Sequence, residues 1–326
     1  MQAPPLRWGF LGTGRIAHRV AAALRAGSTQ VLQAVGSRSL AKAQAFAAHH
    51  GIPQAFGSYQ DLVASPTIDA VYVATPNSKH HAHARLALEA GKPVIVEKPF
   101  TLTHAQARDL ATLAQAKRLF LMEAMWTRFL PHHIELKRRV EAGDLGALTC
   151  AFADFGGRDP VDLAGRMYSR HLGGGALYDR GVYPLAWITD LLGLPSAVRA
   201  HAEMTTTGVD AHLTAILTFD AASAIALCTM TARTPARAWL SGTRGFCEIP
   251  RFWAPAPLHF TFADGRKETW AHQGVRAEGF EYEFAAAARA ITAGDLTHPL
   301  MPLTDTLALQ QLLDNIRSQV GLTWPA

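Results

Sequence analysis

The order of apolar and polar positions over the first third of the chain alternates between short strand-like runs and longer helical stretches. The runs expected to form strands are residues 7–12, 30–37, 69–75 and 93–97. The stretches expected to form helices are residues 15–26, 40–49, 78–90 and 103–117. Short apolar strands that alternate with helices of this length indicate βαβ units, and therefore a parallel sheet with helices on both faces.

The pattern changes after about residue 122. Strand-like runs then follow one another at residues 148–155, 197–206, 212–219, 224–231, 238–240, 246–249 and 258–262. Helices are expected at residues 130–142, 176–192, 278–292 and 305–320. Successive strands without intervening helices favour an antiparallel sheet. We therefore predict an α/β protein with a doubly wound parallel sheet in residues 1–122, followed by an α+β domain with a large open, mainly antiparallel sheet in residues 123–326.

Composition narrows the class of protein. The chain has 326 residues, 49% hydrophobic and 17% charged, which is enough for two cores. Its net charge is +5, from 31 basic and 26 acidic residues. The basic residues are scattered along the chain, so we expect no nucleic-acid partner and favour a phosphorylated small ligand. We find no apolar run long enough to cross a membrane and no signal peptide, and we therefore expect a cytoplasmic protein without membrane contact.

The cysteines and histidines give no metal motif. The three cysteines, at positions 150, 228 and 247, are far apart and form no CxxC pair, so free thiols are expected. His80, His81 and His83 lie close together, but no cysteine or carboxylate stands among them and the chain has no HExxH. We therefore expect no metal site.

The first strand is followed by a dinucleotide-binding pattern. GFLGTGRIA places Gly12, Gly14 and Ala17 in the GxGxxG/A spacing between a strand and a helix. The first glycine permits a tight turn, the second allows close approach of a pyrophosphate, and Ala17 allows close packing of helix and strand. This context predicts a Rossmann domain, although a glycine-rich turn without a ligand is the alternative. The other residues of this turn expected to contact the cofactor are Thr13, Arg15 and Ile16.

The end of the second predicted strand bears on the choice of cofactor. An NAD site usually has an acidic residue about 20 residues after the glycines, but this region has Ser37 and Arg38 instead. A guanidinium can stack on adenine and bind a 2'-phosphate, and a serine can donate to the same phosphate. We therefore expect NADP(H), with NAD less favoured. The alternative is that Arg38 is a solvated surface residue and that the site accepts either cofactor.

Several longer motifs carry a family resemblance. They are VATPNSKHHAHA, VIVEKP, MEAMWTRFLP, GGGALYDRGVY, RFWAPAPL, EGFEYE and the ending PLTDTLALQQLLDNIRSQVGLTWP. Through them the chain resembles the Gfo/Idh/MocA family of oxidoreductases over essentially its whole length. Within that family it is similar to the group of trans-1,2-dihydrobenzene-1,2-diol dehydrogenases and NADP-dependent D-xylose dehydrogenases.

The resemblance assigns residues near the cofactor. It implies that Thr75, Pro76 and Asn77 hold the ribose and nicotinamide, with His80 following them. The alternative is that this loop simply begins a helix, since Thr and Asn are good helix caps.

The resemblance also assigns Lys98, in the EKP motif, to the boundary between cofactor and substrate. A cis bond between Lys98 and Pro99 is a possible family trait, and Glu97 could orient the lysine or cofactor groups. Because the carboxyl ends of parallel strands line the ligand crevice, a lysine at the end of a buried strand fits such a role. The alternative is a surface lysine that follows a strand.

Oxidation of an alcohol also needs a base for the hydroxyl proton. Tyr183 ends the GGGALYDRGVY motif, at a position where many family members have His, and is our candidate for that base. A phenol has an ordinary pKa of about 10, which a neighbouring cation such as Lys98 lowers. Asp179 lies one helical turn before Tyr183 and could hold Lys98, bind a substrate hydroxyl or cap the structure. The alternative for Tyr183 is a core residue.

Other residues are weaker candidates. Trp126 and Arg128 follow the expected domain junction, where an aromatic ring and a cation could close the pocket beside the cofactor. Arg180 stands where the family usually has an apolar residue, so it needs a carboxylate partner or faces substrate or a subunit interface. Residues that could form a substrate wall, with a core role as the alternative, are Phe155, Arg158 and Trp253.

Two hypotheses of function follow. The first is an NADP-dependent oxidoreductase that transfers hydride between the nicotinamide and a cyclic polyol, either a pyranose sugar such as D-xylose or a trans-dihydrodiol. The second is a non-catalytic NADP(H)-sensing protein, since a fold alone does not establish activity. An open sheet with one apolar face also predicts a homo-oligomer, at least a dimer, formed through that face.

Overall fold

The computed structural model describes residues 3–273 and 278–325, which fold into two compact units. The first unit contains Met1–Trp126 and Arg276–Leu307, and the second contains Thr127–Val275 and Ala308–Ala326. The boundary that we expect after residue 122 stays a prediction. Two separate stretches of chain contribute to each unit.

The helices are α1 (Arg15–Gly27), α2 (Leu40–His50), α3 (Tyr59–Ala64), α4 (His80–Glu89), α5 (His104–Lys117), α6 (Pro131–Glu141), α7 (Val182–Leu192), α8 (Phe280–Ala293) and α9 (Leu303–Gln319). The strands of the first unit are β1 (Arg7–Leu11), β2 (Val31–Gly36), β3 (Gln54–Phe56), β4 (Ala70–Val73), β5 (Val94–Glu97) and β6 (Leu121–Ala124). The strands of the second are β7 (Leu148–Gly156), β8 (Ala197–Met204), β9 (Asp210–Thr218), β10 (Ser223–Thr229), β11 (Ala238–Gly242), β12 (Gly245–Ile249), β13 (Leu258–Phe262) and β14 (Lys267–Trp270).

The sheet of the first unit is parallel throughout, in the order β3-β2-β1-β4-β5-β6. Its strands β4, β5 and β6 are buried along their whole length, as expected of a sheet covered on both faces. In its register Leu11 pairs with Gly36 and with Val73, and Val73 pairs with Val96. The loops that leave β1, β2, β4 and β5 therefore start at the same edge of the sheet, where a doubly wound fold binds its ligand.

Helix α8 completes the core of this unit, although it lies far along the sequence. The ring of Phe284 is 4.9 Å from that of Trp8, 6.2 Å from that of Phe10 and 5.2 Å from that of Tyr72. These aromatic side chains are all fully buried. Contacts of this kind contribute about 0.5–1.5 kcal/mol beyond the burial of their area.

The sheet of the second unit has the order β14-β13-β12-β11-β7-β10-β9-β8 and is antiparallel except where β10 runs parallel to β7. Helix α7 packs against β7 and β10. One row of apolar side chains runs across neighbouring strands, because Trp239 pairs with Phe152, Phe152 with Ile225, and Ile225 with Ile216. The two isoleucines are 41% and 50% exposed, so the row lies on an open face of the sheet.

The fold class predicted from the sequence is confirmed. The differences are local, since β3, β6, β14 and α3 are short elements that the apolar pattern did not predict. The segment expected to be one helix over residues 176–192 begins with a π-helical turn, Leu177–Gly181, before α7. Cys150, Cys228 and Cys247 are free thiols, as expected. None of the helices in the described ranges is both long and apolar enough to cross a membrane.

Candidate cofactor site and candidate active site

The turn between β1 and α1 has the geometry of an anion cradle. Gly12 has φ of 110°, and a Cβ there would lie 2.7 Å from the carbonyl oxygen of Ala74, so only glycine fits. A Cβ on Gly14, in contrast, would meet open space. Gly14 caps α1 without a side-chain hydrogen bond, so the first-turn N–H groups of Arg15 and Ile16 lack a side-chain cap. This arrangement fits the pyrophosphate of a dinucleotide.

The residues after β2 include no carboxylate. Ser37 is buried, and its hydroxyl accepts a hydrogen bond from the backbone N–H of Ser39 at 3.3 Å. Arg38 is exposed. Burial lowers the pKa of His83, the charge of Lys79 lowers it further, and the charge of Arg38 makes a smaller contribution in the same direction. The ring of His83 lies 4.5 Å from that of Tyr59. The Arg38 guanidinium therefore lies near His83 and Tyr59 in the first unit.

The loop after β4 is tied to the segment after β5 by His80. One ring nitrogen of His80 is 2.8 Å from the carbonyl oxygen of Thr75, and the other is 2.8 Å from that of Pro99. Burial lowers the pKa of His80 to about 4, although both carbonyls act in the opposite direction. A neutral imidazole has one N–H, so it donates to one of these carbonyls at a time. His80 is fully buried and positions both loops, while Pro76 and Asn77 lie in the loop itself.

Glu97 is the last residue of strand β5, and Lys98 follows it directly. The Glu97 carboxylate is buried and accepts a hydrogen bond of 2.5 Å from the hydroxyl of Tyr72. Burial raises the pKa of Glu97, and the positive charge of Lys98 partly opposes this shift. The Lys98–Pro99 peptide bond is cis, as the family resemblance implies. The Glu97 side chain is thus buried against Tyr72 of the neighbouring strand β4, while Lys98 begins the chain segment that leaves β5.

Trp126 and Arg128 have separate surroundings. Trp126 is buried in the first unit, where its ring lies 4.4 Å from that of Phe280. Arg128 belongs to the second unit, is 3% exposed and pairs with Asp190 at 3.6 Å. His133 and Lys137 contact the same carboxylate at 2.6 and 2.7 Å. Although its burial opposes the shift, these partners hold the pKa of Asp190 well below its usual range.

The second unit brings three predicted substrate residues together. The ring of Phe155 lies 5.4 Å from that of Tyr183 and is stacked on that of Trp253 at 4.9 Å, with an interplanar angle of 11°. Tyr183 is 7% exposed on the first turn of α7. We refer to Phe155, Tyr183 and Trp253 as the aromatic cluster. Arg158 follows β7 and is exposed.

Asp179 has an arginine partner that the sequence analysis did not identify. Arg166 donates to the Asp179 carboxylate at 2.8 Å. The aspartate side chain is 14% exposed and the arginine 34%, so the pair is partly shielded from water. Asp179 is therefore one half of an ion pair with the loop that precedes the glycine-rich motif.

The guanidinium of Arg180 finds its partners within the second unit. Its guanidinium pairs with Asp159 at 2.6 Å and donates to the carbonyl oxygens of Gly157 and Thr229 at 3.1 and 2.9 Å. These partners lie at or just beyond the ends of β7 and β10. The carboxylate partner that was one expectation for Arg180 is therefore observed, and this ion pair joins the π-helical turn to the sheet.

A buried aspartate fixes the start of the π-helical turn. Asp210 is 0% exposed, and its carboxylate accepts a 2.6 Å hydrogen bond from the backbone N–H of Leu177. A Cβ on Gly175, which has φ of 105°, would lie 2.1 Å from the same carboxylate. The glycines of the GGGAL motif thus let the chain pass close to Asp210. Although backbone N–H groups oppose it, burial raises the pKa of Asp210 to about 6.

Comparison with known proteins agrees with the two-unit fold and the glycine turn described above. Residues 6–125 match the family model described as "Oxidoreductase family, NAD-binding Rossmann fold", and residues 133–248 match the "GFO/IDH/MocA C-terminal domain". Proteins named trans-1,2-dihydrobenzene-1,2-diol dehydrogenase are 34% identical in Danio rerio and 33% identical in Xenopus laevis. Each alignment covers 98% of this chain and 98% or 99% of the relative.

A solved structure of similar shape is a 3-ketoreductase from Actinomadura kijaniata in complex with NADP and TDP-benzene. It is 28% identical, has a TM-score of 0.85, and is matched over 97% of this chain and 98% of that one. An aldose-aldose oxidoreductase from Caulobacter crescentus, at 24% identity and a TM-score of 0.88 over 98% of both chains, shares the fold. The glycine turn, the two sheets and these matches together establish that the chain belongs to the Gfo/Idh/MocA family of oxidoreductases, with an NAD(P)-binding Rossmann fold.

Proposed function

We propose that this oxidoreductase uses NADP(H) and transfers hydride to or from a cyclic polyol, either a pyranose sugar or a trans-dihydrodiol. The observation that carries the proposal is the aromatic cluster, in which the Tyr183 phenol lies beside the ring of Phe155, which is itself stacked on Trp253. Sugars and dihydrodiols both have an apolar ring face that packs on aromatic side chains, and a hydroxyl that the phenolate form of such a tyrosine can deprotonate. The dihydrodiol dehydrogenase relatives support the second substrate class.

The choice of NADP rests on the residues after β2. Arg38 is exposed, Ser37 lies next to it, and no acidic side chain stands there to accept hydrogen bonds from the ribose hydroxyls. A guanidinium instead favours a 2'-phosphate through paired, charge-assisted hydrogen bonds. The Actinomadura ketoreductase, crystallised with NADP, supports this choice. Thr13, Arg15, Ile16, Thr75, Pro76 and Asn77 are the neighbouring residues proposed to contact the cofactor.

We propose a role for each side chain in taking up the proton that the alcohol loses when it is oxidised. When bound, the cofactor supplies the hydride acceptor for alcohol oxidation. The Tyr183 phenolate is proposed to accept the hydroxyl proton at Oη, and Lys98 is proposed to act beside the bound cofactor. Asp179 and Arg166 are proposed to orient a second substrate hydroxyl. Residues 1–122 would thus bind cofactor, and residues 123–326 would bind substrate.

A substrate panel tests this function. Absorbance of NADPH is followed with D-xylose, D-glucose, 1,5-anhydrofructose and a trans-dihydrodiol. Lys98→Met should abolish turnover while fluorescence titration still shows NADPH binding, and Tyr183→Phe should lower kcat by at least about 100-fold because it loses the base. Retained turnover in either variant would refute its assigned role. If NADPH absorbance changes with none of these substrates while NADPH still binds tightly, the result would favour the non-catalytic NADP(H)-sensing protein.

We further propose that the protein forms a homo-oligomer through the open sheet. The row Trp239, Phe152, Ile225 and Ile216 gives that face an apolar centre. Light scattering should report a dimer or larger, and Ile225→Asp should shift it toward monomer because a buried charge is costly. Val161→Asp, at a loop residue 75% exposed, is the matched control. A wild-type monomer at micromolar concentration would contradict this proposal.

A further inference from the structure

Three histidines converge at the contact between α1 and α2. His18 lies on α1, and His49 and His50 form the last turn of α2. Their ligand nitrogens all lie within 4.8 Å of one another. Nδ1 of His18 and Nε2 of His50 are 2.8 Å apart. The ring centroid of His49 is 4.6 Å from that of His50 and 5.6 Å from that of His18.

The cluster is built into the fold on one side and open on the other. His50 is 5% exposed, His18 is half-buried and its ring lies 4.4 Å from that of Phe46, and His49 is exposed. Packing thus limits the movement of two imidazoles, while the third can rotate toward them from the solvent side. A cation and one or more water molecules can therefore reach the three nitrogens without opening the core.

We propose that His18, His49 and His50 form a binding site for a borderline transition-metal ion such as Zn²⁺. Three imidazole ligands with a water in the remaining position are an established coordination set for zinc, with Zn–N distances of about 2.0–2.1 Å. Nitrogen ligands favour Zn²⁺, Co²⁺, Ni²⁺ or Cu²⁺ over Mg²⁺ and Ca²⁺, which prefer oxygen. The ion would join the helix that follows the glycine turn to the helix that follows Ser37 and Arg38.

Binding replaces the direct contact between the rings of His18 and His50. At 2.8 Å one of the facing nitrogens of His18 and His50 carries a proton that it donates to the other. To bind an ion, both rings must carry their proton on the opposite nitrogen, which is a change of tautomer only. The side chain of Arg25 lies close enough for its charge to act on His50, and this repulsion limits the affinity. We therefore expect dissociation constants in the micromolar range.

The test uses untagged, full-length protein freed of metal by a chelator. Titration with Co²⁺ should give visible absorption bands that saturate at one equivalent, and Zn²⁺ should abolish them by competition. Isothermal titration with Zn²⁺ should give the same stoichiometry, and Zn²⁺ should raise Tm because it binds the folded state. Absence of saturable binding at about 0.1 mM free metal would overturn the proposal.

Variants separate the cluster from scattered surface histidines. His49→Gln changes an exposed side chain, so folding should be intact, and we expect at least tenfold weaker metal binding. His50→Gln should lose binding as well, with circular dichroism to confirm the fold. His171→Gln removes an exposed histidine elsewhere and should bind as the wild type does. Equal affinity in His49→Gln and the wild type, or an equal loss in His171→Gln, would refute the site. None of these readouts depends on the proposed substrate.

Discussion

Asp210 and Leu177 are joined by a 2.6 Å hydrogen bond between a fully buried carboxylate and a backbone N–H. The bond fixes the start of the π-helical turn Leu177–Gly181, which bears Asp179 and leads directly into α7 and Tyr183. Asp210 contacts none of the atoms proposed to react. It acts as a positioning residue, since the direction of the turn decides where the phenol and the carboxylate point.

The burial of the same carboxylate gives a pH dependence that Asp210→Asn should remove. Burial raises the pKa of Asp210 from 3.8 to about 6, so the folded state binds this proton more tightly than the unfolded state does. The wild type should therefore lose up to about 3 kcal/mol of unfolding free energy, relative to the variant, as pH rises from about 4 to about 6. Urea unfolding across this range measures the difference. Parallel curves would contradict it, and Asp220→Asn, at an exposed aspartate, serves as control.

Arg180→Met should destabilise the second unit. The guanidinium and its partner Asp159 are only 11% and 18% exposed, so removing the cation leaves a shielded carboxylate without its partner. The carbonyl groups of Gly157 and Thr229 also lose this donor, although Thr229 keeps the hydrogen bond from the backbone N–H of Gly157. We expect a loss of about 3 kcal/mol in unfolding free energy. Asp159→Asn in the Arg180→Met background should cost little more, because the charge pair is already broken. Additive losses in this double-mutant cycle, measured by urea unfolding, would mean that the two side chains act independently.

Arg38→Ala should reduce the preference for NADP. Loss of charge-assisted hydrogen bonds to a 2'-phosphate is worth about 1.5–3 kcal/mol, so KM for NADP should rise about tenfold to hundredfold while KM for NAD changes little. Initial rates with both cofactors measure this effect. Arg108→Ala, at an exposed arginine of α5, should leave both constants unchanged. A wild-type enzyme that prefers NAD would refute the assignment of Arg38.

Trp253→Ala should weaken substrate binding more than it slows the chemical step. The indole is stacked on Phe155, next to Tyr183, and its removal takes away one face of the aromatic cluster. A loss of about 0.5–1.5 kcal/mol corresponds to a rise in KM of up to about tenfold. Steady-state kinetics of the best panel substrate measures KM and kcat separately. Trp270→Ala, at the edge strand β14, is the matched control, and an equal rise there would point to general destabilisation.

The sequence was most informative where local chemistry alone fixes the backbone. Gly12 and Gly14 stand in a spacing that only a strand, a tight turn and a helix explain, and the structure has that turn. In contrast, β3 and β6 are too short to show an apolar period, and half-exposed Gln54–Phe56 has no hydrophobic alternation. The edges of the first sheet were therefore missed, while its centre was predicted.

Long-range partners could not be predicted from the sequence. Arg166, thirteen residues before Asp179, lies in a loop without periodicity, and nothing in its local sequence indicates the ion pair. His18 and His50 are 32 residues apart and meet because α1 and α2 pack together. Sequence patterns predict elements and their faces, whereas the pairing of polar side chains depends on how those elements pack.

Helix α8 has a consequence for how the chain reaches its native state. Phe284 covers Trp8, Phe10 and Tyr72, so these rings have no complete apolar surroundings until synthesis has passed Ala293. A fragment that stops at Trp126 would expose this aromatic surface to water and aggregate. The nucleotide-binding half cannot mature on the ribosome ahead of the rest, and expression of the protein as separate halves would fail for the same reason.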